Sequence, residues 1–154
     1  MKRKSALLAA MVSMAALIFS ACTGKASARL SDVYAKMKAE VAFPTEMLKM
    51  DDDYFVMQFG FNPADFEEYV YAQGEDSLLA ESIVLIKVKN AVNAGAVREK
   101  LEKYVSEQTT MFNSYIPEQG KVAGESVIVA KGTYVCMLMS SKVSELKKIV
   151  TEMI

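Results

Sequence analysis

The chain contains no histidine. Imidazole acid–base chemistry, serine–histidine triads and histidine-ligated zinc are therefore excluded at the outset. Cysteine is almost as scarce, with only Cys22 and Cys136. Cys136 lies in an apolar, strand-like run, where a thiol acts as a small buried hydrophobe. No cation or helix start stands near it in sequence to lower its pKa, so a reactive thiol is not expected. Beyond residue 4 the longest basic run is Lys147-Lys148. Phosphate binding needs clustered Lys and Arg, so nucleic acid is not an expected partner. No G-x-G-x-x-G, P-loop or G-x-S-x-G pattern occurs, which removes the common nucleotide and nucleophile-elbow sites. These absences leave no catalytic residue, no metal ligand and no cofactor to nominate.

What is present begins with a leader. Lys2, Arg3 and Lys4 precede an uncharged, mostly apolar stretch from Ala6 to Phe19, followed by Ser20, Ala21 and Cys22. Residues 1–21 read as a secretory signal peptide, with an apolar core too short for a confident membrane span. Phe19-Ser20-Ala21-Cys22 resembles the bacterial lipobox, with Phe where Leu is commoner. The resemblance implies that the Cys22 thiol is diacylated, palmitate being a typical chain, and that Cys22 becomes the mature N-terminus. Two acyl chains hold a protein on a bilayer stably where one does not. Residues 22–29 then form a lipidated cysteine and tether, reaching about 26–29 Å at ~3.3–3.6 Å per residue. The expected location is the extracytoplasmic face of the cell membrane, with membrane lipid as a partner through Cys22. Losing residues 1–21 removes three bases and no acid from the 18 bases and 19 acids of the chain, leaving 15 against 19, a net charge of −4. That mild acidity suits a protein held near an anionic lipid surface without lying on it.

Residues 30–154 read as one α+β domain, organised around residues 81–140. Ser31 is placed as N-cap of a first helix carrying Val33, Tyr34, Met37 and Val41 on one face, and Pro44 ends it. Residues 46–50 read as loop or a short turn, Asp51-Asp52-Asp53 as a solvated acidic loop, and residues 54–59 as a short helix or strand. Asn62-Pro63-Ala64-Asp65 has the cap and first-turn residues of one helical turn. A first strand is expected over Glu67–Gln73 and a second over residues 81–89. The second is apolar on both faces, with Val84, Ile86 and Val88 opposite Ile83 and Leu85. Val97, Leu101, Tyr104, Val105, Met111, Phe112 and Tyr115 mark a long amphipathic helix that Pro117 closes. A third strand spans about 122–130, Lys131-Gly132 turns with φ > 0 at the glycine, and a fourth runs over 133–139. Ser141 is placed as the cap of a last helix over 143–153. The expected architecture is an antiparallel four-stranded sheet with two helices on one face, a hairpin–helix unit used twice, plus the N-terminal helix. The N-terminal helix or the 47–59 segment is the expected cover for the other face.

The remaining polar candidates carry little chemistry. Asp51–Asp53 lacks the spaced ligands of a calcium loop. Glu67-Glu68 and Glu75-Asp76 are paired carboxylates of the kind glycosidases use, but they fall at turns and outer faces. Tyr69, Tyr71, Tyr104, Tyr115 and Tyr134 suit either a sugar or peptide groove or the amphipathic edges of a core. The eight methionines after the leader suit core filling rather than a metal site.

One resemblance spans nearly all of residues 30–153. It is carried by Gly60-Phe61-Asn62-Pro63-Ala64-Asp65-Phe66-Glu67-Glu68-Tyr69-Val70 and by Glu81-Ser82-Ile83-Val84-Leu85-Ile86-Lys87. Gln108 and Tyr115-Ile116-Pro117-Glu118 on and after the long helix, and Lys131-Gly132-Thr133-Tyr134-Val135, complete it. Together with the lipobox, these segments resemble an uncharacterised lipoprotein family of Gram-positive bacteria, domain of unknown function 4358. The resemblance implies membrane attachment and one small domain, and it carries over no catalytic residue. The expected function is a membrane-anchored binding or interaction module that meets a protein, peptide or glycan near the bilayer, rather than an enzyme. The alternatives are a His-free hydrolase using carboxylates, and a structural or assembly protein acting through an apolar sheet face.

Overall fold

The computed structural model describes residues 27–154, so the expected signal peptide and Cys22 lie outside the described residues. Helix α1 (Leu30–Glu40) buries Leu30, Val33 and Met37. Its N-terminus differs from the sequence expectation. Ser31 is inside the helix and exposed, and the first amides are satisfied across the chain. Glu68 Oε2 accepts from Leu30 N at 2.7 Å and Glu68 Oε1 from Ser31 N at 2.8 Å. A carboxylate at the positive helix end meets both the unpaired donors and the dipole. Glu68→Ala should therefore cost about 1 kcal/mol, within the ~0.5–2 kcal/mol of lost caps. Ser31→Ala should stay within about 0.5 kcal/mol of the parent. Urea unfolding of the two variants checks the assignment, and the reverse order would restore Ser31 as the cap.

Residues expected to be loop form strand β1 (Met47–Lys49), which pairs antiparallel with β2 (Phe66–Gly74). Three residues are too few to show a period of two, so only the partner strand reveals it. Helix α2 (Asp52–Phe59) resolves the helix-or-strand ambiguity after it. Asp51 is its N-cap, with Oδ1 accepting from Tyr54 N at 2.8 Å. The acidic triplet is thus a helix start rather than a loop, since carboxylates favour the first turn. Asn62 caps the single turn Pro63–Asp65 as expected, accepting from Ala64 N.

Strand β3 (Ser82–Val88) leads through a short turn into the long helix α3 (Ala94–Tyr115). Pro117 ends α3 but also opens a further helix, α4 (Pro117–Gly124), at a position where its missing N–H costs nothing. The third expected strand therefore begins late, as β4 (Val127–Lys131). The expected glycine turn is present, with Gly132 at φ 59°. Strand β5 (Tyr134–Met139) and helix α5 (Val143–Met153) complete the described residues. The sheet is antiparallel, in the order β1-β2-β3-β5-β4. The α+β class stands, but the sheet has five strands rather than four, and the described residues form five α-helices.

The helices also divide differently from the expectation of two on one face. Val84, Ile86, Val88, Val135, Met137 and Met139 pack with α2, α3 and α4. On the opposite side, Ile83, Leu85, Cys136 and Leu138 pack with α1 and α5. Central strands apolar on both faces require cover on both. Had α3 and α5 shared a face, the second apolar row would have needed other cover. The entry to α5 is held by Glu81, whose Oε1 accepts from both the backbone N and the Oγ of Ser141 at 2.9 Å. Ser141 thus donates to Glu81 instead of capping α5, and Ser140 Oγ accepts from Lys142 N at 2.9 Å.

Candidate functional site

The α2–α3 side of the sheet ends in a cleft of about 230 Å³. Helix α2 contributes Tyr54 and Gln58, β2 ends in it with Gln73 and Gly74, and α3 walls it with Tyr104, Gln108, Met111 and Phe112. The 77–82 segment supplies Ser77, Leu79, Ala80, Glu81 and Ser82, and Met139 of β5 closes the base. That segment is tied down on two sides. Gly74 N donates to Glu81 O at 2.8 Å, and Ala80 N donates to Gln119 Oε1 of α4 at 2.8 Å. Gly74 is required by close approach: a Cβ there would lie 2.7 Å from Thr45 Cγ2 and 3.1 Å from Glu81 Cβ.

The cleft is unusual in its polar atoms. Among the described residues, three buried side-chain polar atoms lack a hydrogen-bond partner: Tyr71 Oη, Glu81 Oε2 and Ser82 Oγ. Glu81 and Ser82 line the cleft. Tyr71 sits just behind it, its phenol influenced by those of Tyr104 and Tyr54. The hydroxyls of Tyr71, Ser82 and Tyr104 are near enough to bias one another's titration. Tyr71 Oη and Ser82 Oγ thus have each other and Tyr104 Oη as polar neighbours, and burial shuts both of them and Glu81 Oε2 off from the cleft. Each such buried atom costs about 1–3 kcal/mol, and a cluster of them calls for an explanation. Burial raises the pKa of both Tyr71 and Tyr104 above the ordinary phenol value, so both remain neutral hydroxyls. Tyr104 Oη accepts from Gln73 Nε2 at 3.3 Å. The side chains of Gln58 and Gln108 make no hydrogen bond among the described residues and are free to meet a ligand.

The residues singled out from sequence are scattered. Asp51 caps α2, and Asp52 accepts a hydrogen bond from Tyr69 Oη. No group of His, Cys, Asp or Glu among the described residues is arranged to hold a metal ion. Glu67 pairs with Lys87, Glu68 caps α1, and Asp76 Oδ1 accepts from Leu78 N within the 75–81 loop. Cys136 is buried, and that burial pushes its thiol up to about 12, as suits an inert core residue. Of the five tyrosines, only Tyr104 lines the cleft, with Tyr71 behind it. Tyr69 stacks on Phe55, Tyr115 is exposed, and Tyr134 holds the start of the described chain.

Sequence reasoning missed Gln58, Gln73, Glu81 and Ser82 as site residues. The one available signal was the pair Glu81-Ser82 opening a strand otherwise buried on both faces. Buried polar residues at such a position need partners, and the partners come from segments far away in sequence.

A family model described as Domain of unknown function (DUF4358) matches residues 39–140. No curated protein and no solved structure gives a significant match.

Proposed function

The chain belongs to the DUF4358 family, and from that premise and the polar cleft we propose that it is a membrane-anchored extracytoplasmic lipoprotein whose domain acts as a binding module. The observation that carries binding is the cleft itself, whose walls carry the Gln58 and Gln108 side chains without protein hydrogen bonds. Such a site gains from a ligand that completes its hydrogen bonds. Catalysis is the weaker reading. Two-carboxylate hydrolysis needs a second acid across the cleft, and Glu81 is the one carboxylate that lines it. Assembly through an open apolar sheet face is weaker too, because α1 and α5 cover one face and α2, α3 and α4 cover the other. A broad hydrolase screen of the full-length chain tests the binding reading, which substrate turnover would overturn.

Anchoring rests on the lipobox-like Phe19-Ser20-Ala21-Cys22 and on where the described chain begins. Ser27 Oγ and Tyr134 Oη are hydrogen-bonded at 2.7 Å, and Tyr134 Oη donates to Ala28 O at 2.9 Å. The domain side of the tether is thus held at Ser27. From Cys22 to Ser27 the chain spans at most about 17–18 Å at ~3.3–3.6 Å per residue, shorter than the full 22–29 tether. A domain so closely tied meets only ligands that come near the bilayer. Cys22→Ser should shift the protein from the membrane to the soluble fraction, or leave it as the unprocessed precursor. Membrane retention with normal processing would overturn the anchor. Among the described residues no helix is long and apolar enough to cross a membrane.

A further inference from the structure

Exposed apolar side chains gather at one end of the sheet. Of the seven large ones exposed among the described residues, five stand round the mouth of the cleft: Leu48, Met57, Leu78, Met111 and Tyr115. Met111 lines the cleft, and Tyr115 follows it one turn along α3. Leu78 belongs to the 77–82 segment, and Met57 stands beside the cleft-lining Gln58 on α2. Leu48 of β1 is opposite Gln73 of β2 and so shares its face. Tyr115 is 81% exposed, Met57 71% and Leu78 61%, so these side chains already stand in solvent. One exposed apolar residue is ordinary, but a group of them marks an interaction surface. Tyr and Met are also the residue types that interfaces favour.

Charge says what covers the patch. Glu46, Glu75, Asp76 and Glu118 are exposed at its border. Glu75 N donates to Glu46 O at 2.8 Å, and Gln119, next to Glu118, accepts from Ala80 N, which brings the four to one end of the sheet. Among the described residues none of them makes an ion pair. Lys49 is on the other face, opposite Ala72, while Lys121 and Lys142 are held by Glu125 and Glu145. A complementary partner therefore brings apolar side chains flanked by Lys or Arg. The bilayer does not fit. Tyr134, which holds Ser27 and Ala28, opens β5, whereas Met139, which lines the cleft, ends it. Five steps along that strand, at ~3.3 Å each, put the mouth about 17 Å beyond the tether attachment. A second copy does not fit either: it would set carboxylates against carboxylates, and two copies anchored in one leaflet turn their mouths the same way. Resting on the anchored binding-module reading above, we infer that the mouth of the cleft, at the end of the domain away from the bilayer, docks a basic amphipathic segment of another protein. The segment's apolar side chains lie against Leu78, Met111 and Tyr115, and its cations meet the bordering carboxylates.

The test is fluorescence anisotropy of a labelled amphipathic leucine–lysine peptide with the full-length chain in phosphatidylcholine nanodiscs, read above empty nanodiscs. The leucine–glutamate peptide of the same pattern is run in parallel. The expected result is saturable binding of the basic peptide, at least about tenfold weaker for the acidic one. The double variant Met111→Ala/Tyr115→Ala should weaken binding about tenfold, and Glu75→Gln/Glu118→Gln should weaken it and reduce its salt dependence. All four side chains are exposed, so both variants should unfold at the parent temperature. Val92→Ala, exposed at the tether end, should bind as the parent does. Silence of the basic peptide, equal binding of the acidic one, or binding that the Met111/Tyr115 variant leaves unchanged overturns the inference. Two further readouts separate the other occupants. The chain has no tryptophan, so Tyr115→Trp places a single reporter at the mouth. Its quenching by brominated phosphatidylcholine would put the mouth on the bilayer and overturn the inference. Sedimentation that shows dimers lost in the Met111/Tyr115 variant would assign the patch to a second copy and overturn it too. The anchor and binding-module readings fall separately, by Cys22→Ser and by the turnover screen.

Discussion

Replacing Phe55 with alanine is expected to lower folding stability by about 3–5 kcal/mol, the range for deleting a buried phenylalanine ring. Phe55 is fully buried at the centre of an aromatic cluster. It stacks on Tyr69 of β2 with ring centroids 4.2 Å apart, and it lies 5.5 Å from the rings of both Phe59 and Phe61. Phe66 and Tyr71 flank it from β2. The lost ring removes apolar burial and leaves a void that those rigid neighbours fill only in part. Helix α2 is short, so its attachment to the sheet depends on this contact more than on intrinsic helix stability. Tyr54 and Gln58 flank Phe55 on the same helix and line the cleft, so ligand binding should fall with it. Urea unfolding measures the loss. The half-exposed neighbour Val56 serves as control, and its alanine variant should stay within about 0.5 kcal/mol of the parent. A Phe55→Ala loss as small as the control would mean that α2 is held by something other than this ring.

Leu85→Ala should cost about 2–5 kcal/mol from the other side of the sheet. Leu85 is fully buried on β3, opposite Val70 of β2 and Cys136 of β5. It belongs with Leu30, Val33 and Met37 of α1 and with Leu146, Ile149 and Val150 of α5. Every element around it is regular structure, which leaves little freedom to collapse onto a missing side chain. The loss should appear in the unfolding midpoint at an unchanged denaturant slope, the signature of a stability change alone. The cleft should keep its shape in the folded fraction, because it lies on the opposite face. A variant that folds as stably as the parent would mean that the α1–α5 layer does not depend on this position.

Leu85 and Phe55 differ in how far their roles can be read along the chain. The apolar rows Val84-Ile86-Val88 and Ile83-Leu85 announce a strand buried on both sides, and β3 is that strand. The same alternation identifies β5, and apolar spacing identifies α1, α3 and α5. Phe55 offers no such signal. Eight residues of α2 suit a helix or a strand, and the residue becomes a hub only because Tyr69, Phe61 and Phe66 arrive from elsewhere.

The helix caps make the same point at closer range. Ser31 and Ser141 are sound caps by local chemistry, yet α1 is met by Glu68 and the turn into α5 by Glu81. A carboxylate from a neighbouring strand is a stronger acceptor than a nearby hydroxyl, and local sequence gives no notice that it is coming. Pro117 is half legible: it marks a helix boundary, but whether one helix ends or another begins depends on the packing of α4 against α3.

The cleft is the extreme case. Gln58, Gln73, Glu81, Ser82, Tyr104 and Gln108 come from α2, β2, β3, its preceding loop and α3, and no spacing rule unites them. Composition and local periodicity mark the apolar rows of β3 and β5, the inner stripes of α1, α3 and α5, and the absence of imidazole chemistry. The fifth strand, the placing of α3 and α5 on opposite faces, and the meeting of Gln58, Gln73, Tyr104 and Gln108 in one cleft come from tertiary contacts alone. A regular apolar period is written along the chain, whereas a side chain's partner and its face depend on segments that fold against it from far away.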